Sequence, residues 1–126
     1  MKIFGHPWFH SEEFYPVSSV QDIKKTPPNS TVLLSPLSFS LELAHYCNQN
    51  SIAYVLEVRS IKEALFANQM GCRYIVTEKP LAKEIMPIAQ HYLFDTQILA
   101  KIKDESEIEE IAKEGIDGVI FAKLTQ

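Results

Sequence analysis

The sequence is poor in the residues that build several common kinds of functional site. Its 126 residues include four glycines and two cysteines. There is no Gly-x-Gly-x-x-Gly motif, P-loop or nucleophile elbow, so the sequence predicts no nucleotide cofactor and no other cofactor. Cys47 and Cys72 lack the spacing of a metal site, which predicts buried, reduced thiols in a cytosolic protein.

Basic residues are also few and scattered. The net charge is −4 at pH 7, and Arg59 and Arg73 are the only arginines. Proteins that bind nucleic acid concentrate Lys and Arg to neutralise phosphates, so we expect no nucleic-acid partner. No apolar run approaches the length of a membrane span, and the N-terminus lacks a signal-peptide pattern. We therefore expect a cytoplasmic protein with no membrane partner.

A group of histidines and glutamates near the N-terminus raises the question of a metal site. Its members are His6, His10, Glu12 and Glu13. Residues four apart share a face only in a helix, whereas Pro7 and the neighbouring aromatic residues indicate a loop. We predict packed or solvated loop histidines and no metal.

The centre of the chain reads as one βαβ unit. The apolar run Ile52–Val58 predicts a strand, and Ser60 with Glu63 forms a capping box that starts a helix. Gly71 can close that helix in the left-handed conformation, and Tyr74–Val76 predicts a second buried strand. A returning helix of about ten residues makes the two strands parallel.

The same alternation recurs along the chain. Extended segments begin near residues 32, 54, 74, 98 and 119, separated by helical patterns. This predicts one α/β domain over residues 1–126 with about five parallel strands. Residues 1–30 hold a short strand, an aromatic loop, a brief edge strand and a short helix, and residues 31–126 hold the βα units.

Two architectures satisfy this pattern: an open doubly wound sheet of the flavodoxin or Rossmann kind, and a truncated TIM-barrel-like sheet. Two charges inside predicted strands bear on the choice, because Glu57 shares a strand face with Val55 and Lys101 shares one with Leu99. A sheet covered on both faces tolerates unpaired charges poorly. Glu57 and Lys101 therefore lie at exposed strand ends, pair with each other, or line a polar pocket.

Ligands of parallel α/β folds bind beyond the carboxyl ends of the strands, which defines the candidate site. We predict Glu57 and Lys101 as candidate catalytic residues. The candidate ligand-binding residues are His6, Ser35, Arg59, Glu78, Lys79, Lys103 and Asp104.

Three stretches resemble the keto-deoxy-phosphogluconate aldolase family. They are Val32-Leu33-Leu34 with Ile52-Ala53-Tyr54-Val55-Leu56-Glu57-Val58, then Gly71-Cys72-Arg73-Tyr74-Ile75-Val76-Thr77, and Asp104-Glu105-Ser106-Glu107-Ile108 with Gly115-Ile116-Asp117. The resemblance covers about two-thirds of the chain. It implies a phosphate-binding barrel fold with Glu57 as the acid/base glutamate. The family's Schiff-base lysine would fall at Ile120, and at least one βα unit is missing.

Three hypotheses of function follow. The first is a domain that binds a small anionic ligand or a protein partner at the strand ends. The second is an aldolase-like lyase or isomerase, with Glu57 as general base and Lys101 or Arg59 stabilising developing negative charge. The third is a self-associating module, because an incomplete barrel leaves sheet edges that a second copy would cover.

Overall fold

The computed structural model of the protein describes residues 1–125, which form a single parallel sheet and five helices. The strands are β1 (Lys2–Phe4), β2 (Phe14–Pro16), β3 (Thr31–Leu33), β4 (Tyr54–Glu57), β5 (Tyr74–Thr77), β6 (Gln97–Ile102) and β7 (Gly118–Phe121). The helices are α1 (Val20–Lys24), α2 (Leu41–Gln49), α3 (Ile61–Met70), α4 (Lys79–His91) and α5 (Ile108–Lys113). Short 3-10 turns cover Leu37–Phe39, Glu105–Glu107 and Ala122–Thr125. Among residues 1–125, no helix has both the length and the apolar character needed to cross a bilayer.

Strand order decides between the two predicted architectures. The seven strands lie in the order β1-β7-β6-β5-β4-β3-β2, and every neighbouring pair is parallel. From β2 to β7 the strands therefore follow the chain without a reversal, as in a barrel and unlike a doubly wound sheet. The fold is a truncated TIM-barrel-like α/β domain. The five predicted strands are present, and the two short candidates at the N-terminus add β1 and β2.

The sheet separates two apolar clusters, one on each face. The larger cluster packs the outer face against the helices, and its fully buried members include Tyr54, Leu56 and Ile75. The smaller cluster fills the concave face with one or two side chains from every strand: Phe4, Phe14, Leu33, Val55, Tyr74, Val76, Leu99 and Ile120. A packed interior lined by side chains from every strand is typical of a barrel.

Aromatic rings connect the two edge strands. β1 and β2 are not hydrogen-bonded neighbours, yet the rings of Phe4 and Phe14 lie 4.9 Å apart, centroid to centroid. Tyr74 from the middle of the sheet meets both rings, at 5.4 and 5.6 Å. The sheet therefore curls until its edges face each other across these three rings.

The helices begin and end where the sequence indicates, with two exceptions. The Ser60 side chain accepts from the Glu63 backbone N–H, and Gly71 closes α3 at a φ of 89°. The spacing of Phe39, Leu43, Tyr46 and Cys47 predicts a helix that starts at Ser38 and carries these side chains on one side. That start is wrong: Phe39 lies in a 3-10 turn with an exposed ring, and α2 begins at Leu41. Pro87 lies inside the predicted fourth helix, which indicates a kink or two short pieces there. The structure has one continuous helix from Lys79 to His91, so there are not two pieces.

Glu12 closes the amino end of the barrel. Its carboxylate accepts from the Thr31 hydroxyl and, at 3.3 Å, from the Tyr74 hydroxyl. An Arg73 guanidinium nitrogen lies 3.7 Å away. Because Thr31 and Tyr74 are the first residues of β3 and β5, Glu12 stands at the end of the barrel opposite to the predicted site.

Candidate functional site

An ion pair stands at the carboxyl ends of the strands. Lys101 Nζ donates to Glu57 Oε2 at 2.7 Å. Their side chains are 17% and 22% exposed. Since side chains alternate along a strand, Glu57 and Lys101 lie on the concave face with Val55 and Leu99, which belong to the interior cluster. The structure thus brings the two candidate catalytic residues together on one face.

Two further charges extend the pair into a row of alternating sign. Arg59 Nε lies 3.8 Å from Glu57 Oε1, and Glu78 Oε1 lies 3.8 Å from Lys101 Nζ. Both added side chains are largely exposed, so these outer contacts are weaker than the central one. In this row Glu57 has two cations beside it and Lys101 has two carboxylates.

Two open cavities flank the ion pair at the mouth of the barrel. The first, of about 340 Å³, is lined by Glu57, Ser35, Leu33, Val76 and residues of the β2–α1 segment. The second, of about 460 Å³, is lined by Glu78, Lys79, Lys101, Lys103, Glu107 and Ala122. Thr125 lines both cavities, and it is therefore part of the wall between them.

A second carboxylate–ammonium pair lies in the larger cavity. Glu107 accepts from Lys79 Nζ and, through its other oxygen, from the backbone N–H groups of Lys103 at 2.7 Å and Asp104 at 3.0 Å. The Lys79 hydrogen bond, followed by those backbone N–H groups, lowers the pKa of Glu107 to about 2. The hydrogen bond to Glu107 in turn raises the pKa of Lys79. Asp104 accepts from the Ser106 N–H, so it serves as a helix cap.

His6 also lies at the carboxyl end of the barrel, but it contacts neither ion pair. Its Nε2 donates to Glu105 Oε2 at 2.6 Å, while its Nδ1 accepts from the Trp8 backbone N–H at 3.1 Å. Phe9 stacks on the imidazole with the ring centroids 5.3 Å apart. These contacts make His6 a packed loop residue beside the rim.

The remaining side chains that could bind a metal or act as nucleophiles are either far apart or buried. Within residues 1–125 no three His, Cys, Asp or Glu side chains form a cluster suited to a metal, and Glu12 and His6 stand at opposite ends of the barrel. Cys47 and Cys72 are buried, and burial raises the pKa of their thiols to about 11 and about 12. Neither thiol is a nucleophile near neutral pH.

The 3-10 turn Ala122–Thr125 is the part of the site that the sequence did not reveal. The last predicted strand ends at Phe121, and the residues after it do not indicate that the chain turns back over the mouth of the barrel. The position of Leu124 supplies the physical reason, because a Cβ on Gly5 would lie only 2.7 Å from Leu124 Cδ1. Gly5 has a φ of 102°, and its missing side chain leaves room for this turn against β1.

No protein-family model matches the sequence, and no curated protein matches it either. Among solved structures, the fold is similar to that of the N-acetylmannosamine-6-phosphate 2-epimerase from Clostridium perfringens, with a TM-score of 0.60 and 10% sequence identity. The similarity covers 81% of this chain and 52% of that chain, so this chain spans about half the length of the epimerase. At this identity the likeness shows the TIM-barrel-like fold alone. The resemblance to the aldolase family gains no support beyond that fold.

Proposed function

We propose that this chain binds a small anionic ligand at the mouth of the barrel, with Lys101 as the central cation. The observation that carries the proposal is the Lys101–Glu57 ion pair, held at 2.7 Å between two cavities. A ligand carboxylate or phosphate that enters either cavity can replace Glu57 or Glu78 at Lys101. If Glu57 is replaced, it keeps Arg59 as a neighbouring cation. If Glu78 is replaced, its side chain, which is 74% exposed, stays hydrated by solvent.

The lysines around the larger cavity support an anionic ligand. Lys79 and Lys103 line it together with Lys101, whereas the carboxylate of Glu107 is already held by Lys79 and two backbone N–H groups. Partly buried charge pairs act in a lower effective dielectric than water, which strengthens a new contact to an anion. Ser35 adds a hydroxyl to the wall of the smaller cavity.

A second candidate function is proton transfer next to a carbonyl group, as in an isomerase or lyase. The Glu57 carboxylate would take the proton when a C–H bond next to the carbonyl breaks, and the bonding electrons would move onto the carbonyl oxygen. The Lys101 ammonium would stabilise that oxygen. Delivery of that proton by Glu57 to the former carbonyl carbon, with transfer of the hydroxyl proton of the intermediate to the other oxygen, completes an isomerisation. The convergence of a carboxylate and an ammonium in one cleft favours this reaction, and the phosphosugar epimerase of similar fold is consistent with it.

Binding is tested by titrating ¹⁵N-labelled protein with inorganic phosphate, pyruvate and a ketose phosphate. We expect backbone amide shifts at residues 57–59, 78–79 and 101–104. Lys101→Met should weaken binding at least tenfold. Lys83→Met is the matched control, because Lys83 lies on α4 and pairs with Glu114 at 3.9 Å. Equal affinities in the two variants, or shifts confined to another surface, would overturn the binding proposal.

The reaction is tested separately by incubating the ketose phosphate with protein in D₂O. We expect deuterium to enter the carbon next to the carbonyl, and the incorporation to stop in Glu57→Gln. The amide shifts should persist in that variant, because Lys101 is retained. Incorporation that continues in Glu57→Gln, or its absence in the unmodified protein, rejects Glu57 as the base and leaves the binding result to be judged on its own.

A further inference from the structure

A group of large apolar side chains is exposed on the outer face of the fold, outside the two cavities of the barrel mouth. Phe39 in the 3-10 turn before α2 is 76% exposed, and Phe66 on α3 is 53% exposed. Leu41 at the start of α2 and Leu65 on α3 are exposed as well. We call these four side chains, together with the groove described next, the α2–α3 patch.

An apolar groove of about 400 Å³ runs through the patch. Leu37 and Leu41 line one side, and Phe66 and Met70 line the other. The helices beneath it are already anchored, because Ala44 of α2 and Ala64 of α3 are buried in the outer core. The groove is therefore a surface left over after α2 and α3 have packed on the sheet.

We propose that the α2–α3 patch is the interface of a two-fold symmetric dimer of this chain. A two-fold interface joins the same surface on both copies, so that surface must carry both a projection and a recess that fits it. The patch has both, since the exposed Phe39 ring belongs to the same turn as the groove residues Leu37 and Ser38. Each copy can place its Phe39 ring in the groove of the other.

Two exposed charges of opposite sign, one on α2 and one on α3, favour a second copy over a charged partner. Glu42 follows Leu41 on α2, and Lys62 lines the groove on α3. Within residues 1–125 neither side chain takes part in an ion pair. Glu63, in contrast, already accepts from the Arg59 backbone N–H at 2.9 Å. A two-fold arrangement sets α2 of one copy beside α3 of the other and pairs Glu42 with Lys62 twice.

The exposed apolar side chains provide about half of the area that a standard dimer interface buries on each copy. Two phenylalanines and two leucines exposed to this extent present roughly 400 Å² of apolar surface, already the size of a functional patch on a monomer. A standard interface buries about 800 Å² per copy, so the groove walls and the flanking polar residues must contribute the other half of the contact. The sheet edges do not compete for the second copy, because β1 and β2 face each other across Phe4 and Phe14.

Sedimentation equilibrium from 1 to 500 µM tests the dimer. We expect a monomer–dimer equilibrium whose dissociation constant rises at least tenfold in Phe66→Ser. Tyr92→Ser is the matched control, because Tyr92 is an exposed aromatic residue that follows α4. A protein that stays monomeric at 500 µM overturns the proposal, and so does a dimer that Phe66→Ser leaves unchanged.

A charge exchange distinguishes this interface from any other. Lys62→Glu and Glu42→Lys should each weaken the dimer, because each places like charges opposite each other. The double variant Lys62→Glu/Glu42→Lys should recover the original dissociation constant within about threefold. A double variant as weak as the worse single one rejects the two-fold arrangement. Neither residue lines a cavity at the barrel mouth, and the dispersion of the ¹⁵N–¹H spectrum shows, independently of any ligand, that all variants remain folded.

Discussion

Glu107 connects its own 3-10 turn to α4 and to the segment after β6, around the larger cavity. Its carboxylate joins Lys79 at the start of α4 to the backbone N–H groups of Lys103 and Asp104 after β6. Hydrogen bonds to an ionised acceptor are stronger than those to a neutral one. These hydrogen bonds favour the ionised carboxylate and so lower the pKa of Glu107 to about 2, because protonation would weaken all of them.

Glu107→Gln is predicted to alter the acid stability of the protein. Because the pKa of Glu107 is lowered in the folded state, its contribution is complete above pH 4.5 and is lost as the pH falls towards 2. In this interval the variant should take up about one proton fewer on unfolding. Urea unfolding at several pH values measures this as a shallower fall in the free energy of unfolding. Glu109→Gln, at an exposed position on α5, should keep the slope of the unmodified protein.

At the scale of single elements, α3 shows how local sequence sets helix ends. Ser60 caps its first turn, and Gly71 ends it in the left-handed conformation, where an added Cβ would have no other atom within 4 Å. The cost of a side chain at Gly71 is therefore conformational and contains no clash. The same two residues were enough to predict both ends of α3 from the sequence.

Gly71→Ala should lower the free energy of unfolding by about 1 kcal/mol, because alanine is strained at a φ of 89°. Gly71→Asn should cost less, since asparagine tolerates the left-handed region better than alanine. Urea denaturation of the three proteins gives both differences. Equal stability of Gly71→Ala and the unmodified protein would mean that α3 ends in another conformation in solution.

The segment before α2 marks the limit of such local reasoning. Helical spacing predicted Phe39 on the packed side of a helix from Ser38, together with Leu43. In the structure Pro36 precedes a 3-10 turn, and Ser40 bonds back to the Ser35 carbonyl at 2.8 Å. This turn delays the start of α2 to Leu41 and leaves the Phe39 ring exposed. Periodicity alone contains no information about it.

At the scale of the molecule, the barrel depends on contacts between strands that share no backbone hydrogen bonds. Phe4 and Phe14 belong to strands of three residues each, which contribute little backbone pairing. Their rings, with Tyr74, fill the place where a closed barrel would have a continuous ladder. Stability at this seam therefore comes from aromatic burial.

Phe14→Ala should destabilise the protein by about 3 kcal/mol, the cost of removing a buried ring from a packed core. Tyr15→Ala, at the next position and outside the interior cluster, should cost less than half as much. Thermal or urea unfolding compares the two. A loss below about 1 kcal/mol for Phe14→Ala would show that the seam is open in solution, since an exposed ring contributes little.

Alternation of strands and helices predicted the parallel sheet, and alternation within strands placed Glu57 with Val55 and Lys101 with Leu99. Both features follow from backbone geometry, so they can be predicted from short stretches of sequence. An open and a curled sheet share that alternation. Strand order distinguishes them, together with the contact of Phe4 with Phe14 across strands that are not hydrogen-bonded neighbours. The distance between Glu57 and Lys101 depends on the same curl, which explains why the sequence indicated both residues but left their pairing open.

The turn after β7 has a practical consequence for experiments. Thr125 borders both cavities, so an affinity tag attached directly after this residue would crowd the surface that the titration probes. A tag placed before Met1 would instead be attached next to Lys2, at the amino end of the barrel where Glu12 lies. Protein tagged at the amino terminus is therefore the form in which ligand binding and dimer formation can be measured without interference from the tag.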